Sequence, residues 1–254
     1  MKITFLGTSH GVPAADRYCS STIVETGGKT FVIDAGAPLI DLLLRSGRKP
    51  SDVEAIFTTH GHGDHVDGLI SFCDLASWYY KDVSVDIFVT EHALTGAIIN
   101  FLSVIHSPPD TSRLRFTRAT AGAVYDTPEL KVTYLPTKHL PTRPAYSILL
   151  EAEGKRVLIT GDMSNHLERK DFPSIVAEEH LDLVISEMAH FNVEQMTPYL
   201  ETCIADRMII THVFPLHNVQ KQGGALRTAV AKIAQNIQGI LRGKCNLFQH
   251  PLVK

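Results

Sequence analysis

Short runs of β-branched and other apolar residues alternate with amphipathic stretches along most of the chain. This alternation predicts an α/β protein, because strands repeat every two residues and helices every 3.6. Two glycine-containing turns, at Gly27-Gly28 and at Glu153-Gly154, predict β-hairpins. The predicted strands are Ile3–Gly7, Thr22–Glu25, Thr30–Asp34, Ile56–Thr59, Asp86–Val89, Leu130–Leu135, Tyr146–Ala152, Arg156–Thr160, Leu181–Ser186 and Met208–Thr211.

Six segments show a helical pattern, and the first has proline at its start and Gly47 just past its end, as helix termini often do. Both halves of the chain combine strands, helices and a hairpin. We therefore expect two sheets packed face to face with helices outside, a four-layer αββα sandwich formed by residues 1–254 as one domain. The predicted helices are Pro38–Arg45, Asp67–Tyr80, Glu91–Ile105, Glu168–Glu179, Val193–Ala205 and Ala225–Leu241.

The composition is that of a folded globular protein, with 254 residues of which 44% are hydrophobic and 20% charged. No apolar run approaches the roughly 20 residues that cross a bilayer, and no signal-peptide pattern follows Met1. The four cysteines are widely spaced and form no C-x-x-C pair, which favours free thiols. We therefore expect a cytoplasmic protein without a membrane partner.

The net charge is −3, from 24 Lys and Arg against 27 Asp and Glu, so no overall basic field attracts a large nucleic acid. Basic residues without an intervening acid do cluster between Lys221 and Lys244. They either form a stripe that faces phosphate or, as we favour, the solvated face of the helix predicted at Ala225–Leu241. A homodimer is left open.

The densest chemistry lies in the segment HGHGDH, from His60 to His65, directly after a predicted strand. Imidazole is the commonest neutral ligand of Zn²⁺ and similar ions, and carboxylates suit harder cations. Further candidate site residues lie at or directly after the ends of predicted strands, so that they would meet at one rim of a sheet: Asp34, His139, Asp162 and His212. The pattern predicts a metal site at that rim.

At this point the sequence resembles the metallo-β-lactamase-fold superfamily. The H-x-H-x-D-H signature stands at His60, His62, Asp64 and His65. The resemblance continues in GTSHGVP near the start, VIDAG at Asp34, GD at Asp162 and THVFP at His212, and so covers nearly the whole chain. It implies the four-layer fold and a hydrolase, but the superfamily acts on many kinds of substrate.

The resemblance implies two divalent metal ions, with zinc and manganese the expected metals. It assigns one ion to His60, His62 and His139 and the other to Asp64, His65 and His212, with Asp162 bridging both. Two cations that share a carboxylate can clamp a phosphoryl or acyl oxygen and activate a metal-bridging hydroxide as nucleophile. We expect Asp64 also to orient this nucleophile and accept its proton, and Asp34 to hold a ligand histidine.

Within the superfamily, GTSHGVP, KHLPTRPAYSILLEAEGKRVLITGDM, SEMAHF and IITHVFP resemble the branch of ribonuclease Z and of the cyclic phosphodiesterases of phosphonate breakdown. That branch implies His190 as general acid on the leaving oxygen, with Glu187 orienting it. The tRNA endonucleases carry a long arm between the third histidine and the bridging aspartate, where this chain has one predicted hairpin. The phosphonate enzymes carry extra cysteines for a structural zinc, where this chain has only Cys19.

Both departures favour a small substrate. We predict a binuclear phosphodiesterase that acts on a small or cyclic phosphate ester. The alternatives are a lactonase or thioesterase, in which Tyr146 or His190 would face the oxyanion, and a tRNA 3′-processing endonuclease. A non-enzymatic binding module is disfavoured, because every ligand position of the motif is filled.

Overall fold

The structure, a computed structural model, describes residues 1–12, 15 and 17–214. The chain divides into two compact units, Met1–Tyr134 and a second one that begins at Leu135. The helix predicted at Ala225–Leu241 and the basic cluster from Lys221 to Lys244 lie outside the described residues. The single domain over residues 1–254 stays a prediction.

A mixed six-stranded sheet forms the centre of the first unit. Strands β1 to β3 pair antiparallel and β3 to β6 pair parallel. The predicted hairpin joins β2 to β3, and both turn residues, Gly27 and Gly28, have the positive φ that such turns require. The strands are β1 (Lys2–Gly7), β2 (Ser21–Thr26), β3 (Lys29–Ala35), β4 (Val53–Phe57), β5 (Val85–Val89) and β6 (Leu114–Arg118), followed by the hairpin of β7 (Gly122–Asp126) and β8 (Lys131–Pro136).

Helices pack against this sheet through apolar side chains. Leu43, Phe72 and Leu102 come from three different helices and are fully buried in the same cluster as Val32 and Ile56 of the sheet. Burial of each such side chain contributes about 1.5–3 kcal/mol. The helices are α1 (Leu39–Arg45), α2 (Gly63–Val66), α3 (Gly68–Trp78) and α4 (His92–Val104).

The second unit has its own mixed sheet and its own core. Strands β9 and β10 form the predicted hairpin, and β10, β11 and β12 run parallel. Because parallel strands end at the same edge, the segments that follow β10, β11 and β12 meet there. The elements are β9 (Tyr146–Ala152), β10 (Lys155–Ile159), α5 (Ile175–Glu178), β11 (Leu183–Met188), α6 (Val193–Leu200) and β12 (Met208–Val213).

The predicted α/β class, with two mixed sheets and flanking helices, is confirmed. The helix predicted over Glu168–Glu179 is wrong, since only Ile175–Glu178 is helical. Pro173 explains this, because it lacks an N–H and keeps the residue before it out of helical geometry. The helix predicted over Val193–Ala205 ends at Leu200. None of the described helices is long and apolar enough to cross a membrane.

Candidate metal centre

The HGHGDH segment gathers four polar side chains at the carboxyl end of β4. His60 is fully buried there, and the short helix α2 begins at Gly63 and carries Asp64 and His65. The Nε2 atom of His60 lies 3.1 Å from Nδ1 of His62, and Nε2 of His65 lies 3.5 Å from Oδ2 of Asp64. Neutral imidazoles and a carboxylate so close together are a donor set that fits a divalent cation.

Two buried side chains hold the rings of this motif. The Nδ1–H of His65 donates to Oδ2 of Asp34 over 2.7 Å. The hydroxyl of Thr59 lies 3.0 Å from both carboxylate oxygens of Asp34 and 3.1 Å from Nδ1 of His60. An Nδ1–H bond of this kind fixes the tautomer so that Nε2 carries the lone pair that binds a metal. The contact expected of Asp34 is therefore present, and Thr59 is a supporting residue that the sequence analysis missed.

Two glycines lie where the chain passes Asp64, and the space at Gly36 excludes any side chain. A Cβ atom on Gly11 would lie 3.2 Å from the Cγ atom of Asp64, and one on Gly36 would lie 2.5 Å from its carbonyl oxygen. Cys19 also lies near Asp64. Burial, and to a smaller extent the negative charge of Asp64, raise the pKa of its thiol. The backbone at Gly11 and Gly36 thus passes close to Asp64, and the side chain of Asp34 adds the bond to His65 described above.

In the second unit, one carboxylate oxygen is the centre of the candidate ligands. Oδ2 of the buried Asp162 lies 3.4 Å from Nε2 of His212 and 3.8 Å from Nε2 of His139. It also lies 3.8 Å from Nδ1 of His190. All four residues were selected from the sequence, and the structure brings them together at the edge where β10, β11 and β12 end.

Backbone contacts set the orientation of His139 and the place of Glu187. The Nδ1–H of His139 donates to the carbonyl of Met163 over 3.0 Å, which again leaves the lone pair on Nε2. Glu187 is buried and accepts from the backbone N–H of Met163 and Ala189 at 2.9 and 2.7 Å. It also accepts from Nδ1–H of His190 at 2.9 Å. The predicted contact between Glu187 and His190 is therefore present.

Two candidate residues lie inside strands rather than after them. Asp34 belongs to β3 and His212 to β12, and the strand register shifts at both positions. Their φ angles are 57° and 47°, in the left-handed region that non-glycine residues rarely adopt. Each is thus the extra residue of a β-bulge, a feature that redirects a side chain and is common beside functional sites.

Tyr146, proposed above to face the oxyanion of an acyl substrate, begins β9. It is 8% exposed, so the fold buries most of its ring. None of the described cysteines, Cys19, Cys73 and Cys203, is in a disulfide bond.

The fold and this donor set define the class, a metal-dependent hydrolase of the metallo-β-lactamase fold. More specifically, the model of the family described as Anti-Pycsar protein Apyc1 matches residues 1–227, and the chain belongs to this family.

Curated relatives and solved structures agree with the predicted superfamily and branch. Ribonuclease Z of Mycolicibacterium paratuberculosis is 22% identical over 248 residues, covering 85% of this chain and 86% of the relative. Ribonuclease Z of Mycobacterium bovis is 25% identical over 180 residues. The matched region covers 64% of this chain and 62% of that relative.

Three solved structures share the fold. The metallo-β-lactamase-fold protein YhfI of Bacillus subtilis has a TM-score of 0.69 at 17% identity and covers 97% of this chain and 95% of its own. The short form of human tRNase Z has a TM-score of 0.68 at 20% identity, with coverage of 84% and 92%. A diphosphatase of the PhnP family has a TM-score of 0.63 at 16% identity, with coverage of 97% and 94%. The predicted fold and branch are confirmed.

Proposed function

We propose that this chain is a binuclear metal-dependent phosphodiesterase that acts on a small or cyclic phosphate ester. The observation that carries the proposal is the arrangement around Asp162. Its Oδ2 atom faces the Nε2 atoms of His139 and His212 within 3.8 Å. A carboxylate that faces two imidazoles in this way has the chemistry of a ligand shared by two cations.

The ligand assignment stays the one that the sequence predicts. One ion would be held by His60, His62 and His139, the other by Asp64, His65 and His212, and Asp162 would bridge them. Support comes from the tautomers, since Asp34 and Met163 accept from the Nδ1–H groups of His65 and His139. Zinc and manganese both suit a set of imidazoles and carboxylates.

Two metal ions at this site would polarise a phosphoryl oxygen and lower the pKa of water. Asp64 would orient the attacking water and accept its proton. His190 would donate a proton to the leaving oxygen, because an alkoxide is a poor leaving group without one. Glu187 would orient the His190 ring through the 2.9 Å bond to Nδ1, so that Nε2 faces the substrate.

The proposed substrate is small because of the chain between His139 and Asp162. The hairpin of β9 and β10 fills this segment, with no room for an arm that could grip a folded RNA. The name of the ribonuclease Z relatives suggests the other outcome, tRNA 3′ processing, and the PhnP-family neighbour suggests a smaller phosphate compound. Both classes therefore belong in the test.

The test uses protein stripped of metal with a chelator and then reloaded with Mn²⁺ or Zn²⁺. We expect turnover of bis-p-nitrophenyl phosphate and of cyclic mononucleotides, measured by product formation, and none in the stripped sample. A panel of lactones, thioesters and a precursor tRNA runs in parallel. Turnover confined to the lactones or thioesters, or to the precursor tRNA, contradicts the proposal and identifies the alternative.

The location and assembly of the protein stay predictions. We propose a cytoplasmic enzyme, which fractionation of expressing cells would check. Light scattering coupled to size-exclusion chromatography would show whether the chain of 28.0 kDa is a homodimer.

A further inference from the structure

The segment from Ser164 to Asp171, here called the 164–171 loop, takes an unusual path. His166, Leu167 and Lys170 have φ angles of 55°, 52° and 49°, in the left-handed region. Such conformations are unfavourable and persist only where the surroundings hold them in place. The contacts that hold this loop are therefore informative about its role.

Asp171 is the centre of those contacts. The residue is 6% exposed, and its Oδ2 atom accepts from the backbone N–H of Lys138 and of Ser164, each at 2.9 Å. Its Oδ1 atom accepts from the hydroxyl of Ser164. Lys138 precedes His139, and Ser164 lies two residues after Asp162. One buried carboxylate thus joins the two segments that carry candidate ligands.

Further bonds attach the same loop to the same neighbours. Nη1 of Arg169 donates to the carbonyl of Lys138 over 2.6 Å, and Nζ of Lys138 donates to the carbonyl of Arg169 over 2.9 Å. The backbone N–H of His166 donates to the carbonyl of His190 over 2.7 Å. The loop therefore contacts the segments of three site residues.

We propose that Asp171 is a positioning residue, which fixes the segment of His139 against the segment of Asp162 and so sets the affinity for metal. A metal site requires its ligands within about 0.5 Å of the productive geometry. The charge-assisted hydrogen bonds that the buried carboxylate accepts from two backbone N–H groups provide that constraint. The inference rests on the proposed function only for the identity of the ligands.

The test is the variant Asp171→Asn. Asparagine has the same shape but no charge. With its amide oxygen toward the two backbone N–H groups both bonds lose their charge, and with the amide reversed both N–H groups lose their acceptor. We expect Zn²⁺ affinity to fall about 10–100-fold, measured by competition with a chromophoric chelator. The absorption spectrum of the Co²⁺-loaded variant should also change, because the spectrum reports ligand geometry rather than stability.

Asp182→Asn is the matched control. Asp182 accepts from the N–H of Arg156 at 2.9 Å and pairs with Lys155 at 2.7 Å, at the opposite end of β10 from Asp162. This variant should lower the melting temperature without changing the Zn²⁺ affinity or the Co²⁺ spectrum. An unchanged affinity and spectrum in Asp171→Asn, or an equal loss in Asp182→Asn, overturns the inference.

A second variant covers the case in which Asp171→Asn does not fold. Asp171→Glu keeps the charged acceptor but moves it by one methylene group, which displaces the bonds to both backbone N–H groups, and we expect a loss of Zn²⁺ affinity of about a few-fold. Wild-type affinity in this variant would then overturn the inference. A wild-type protein that binds two ions but cleaves no phosphodiester contradicts only the proposed function, and leaves the test of Asp171 valid.

Discussion

In the first unit, Asp34 and Thr59 contact the rings of His60 and His65, whereas in the second unit Asp171 mainly holds backbone N–H groups beside the candidate ligands. A residue that contacts a ring sets its tautomer and its basicity. A residue that holds backbone sets only where the ligand stands. Substitutions in either unit should therefore weaken metal binding, but for different reasons, which can be separated by experiment.

Asp64→Ala should have the largest effect on turnover. Asp64 supports neither a ligand ring nor the backbone beside a ligand, but would take part in the reaction itself. We expect kcat to fall about 10²–10⁴-fold on a phosphodiester, with the melting temperature nearly unchanged. The measurement is a steady-state assay at saturating metal, with Asp67→Asn as control, an exposed carboxylate three residues further on. Wild-type turnover in Asp64→Ala would rule out the assigned role.

His190→Ala should depend on the leaving group. An ester with an alkoxide leaving group should lose about 10²–10⁴-fold in kcat, because the alkoxide must be protonated as it departs. Bis-p-nitrophenyl phosphate should lose far less, since p-nitrophenolate is stable as an anion. Glu187→Gln should show the same pattern with a smaller loss. Equal losses on both substrates would show that His190 does not act as the general acid.

Asp34→Asn tests the support of the rings in the first unit. An amide accepts only through its oxygen, so that either the Nδ1–H of His65 or the backbone N–H of Thr59 loses its acceptor, and the bond that fixes the ring is weakened. We expect Zn²⁺ affinity to fall about 10–100-fold. Asp41→Asn, an exposed carboxylate of α1, serves as control. If the variant keeps the wild-type Zn²⁺ affinity, the bond to the ring is not needed for metal binding. The proposed difference between the two units would then be wrong.

Thr59→Val should have the smallest effect and separates the ring bond from packing. Valine keeps the shape of threonine but loses the hydroxyl that lies 3.1 Å from Nδ1 of His60. We expect stability to fall by about 1–3 kcal/mol in thermal unfolding, because buried polar groups lose a partner. Zn²⁺ affinity should also weaken, and Thr59→Ser should restore it. A serine variant as weak as the valine variant would point to packing instead.

The sequence predicted the parts of the fold and site that depend on local pattern. The alternation of apolar residues located the strands around His60, His139 and Asp162, because each strand is buried on at least one face. The strands β6 and β7 were not predicted, because they are largely exposed and show little alternation of apolar residues.

Other parts depend on contacts between distant segments, which no local pattern shows. Asp171 accepts a hydrogen bond from Lys138, which is far away in the sequence. Thr59, which follows β4, hydrogen-bonds to Asp34 of β3. The bulges at Asp34 and His212 were not predicted either, because a single inserted residue changes the alternation of apolar residues too little to be recognised in the sequence.

The β9–β10 hairpin has a consequence for protein engineering. Its turn, at Glu153-Gly154, is exposed and stands at the opposite end of the strands from His139 and Asp162, roughly 20 Å of strand away for the seven residues of β9. Exposed loop tips accept inserted sequence with little loss of stability. A reporter domain, an affinity tag or a grafted RNA-binding module could therefore be spliced into this turn while the ligand segments keep their places.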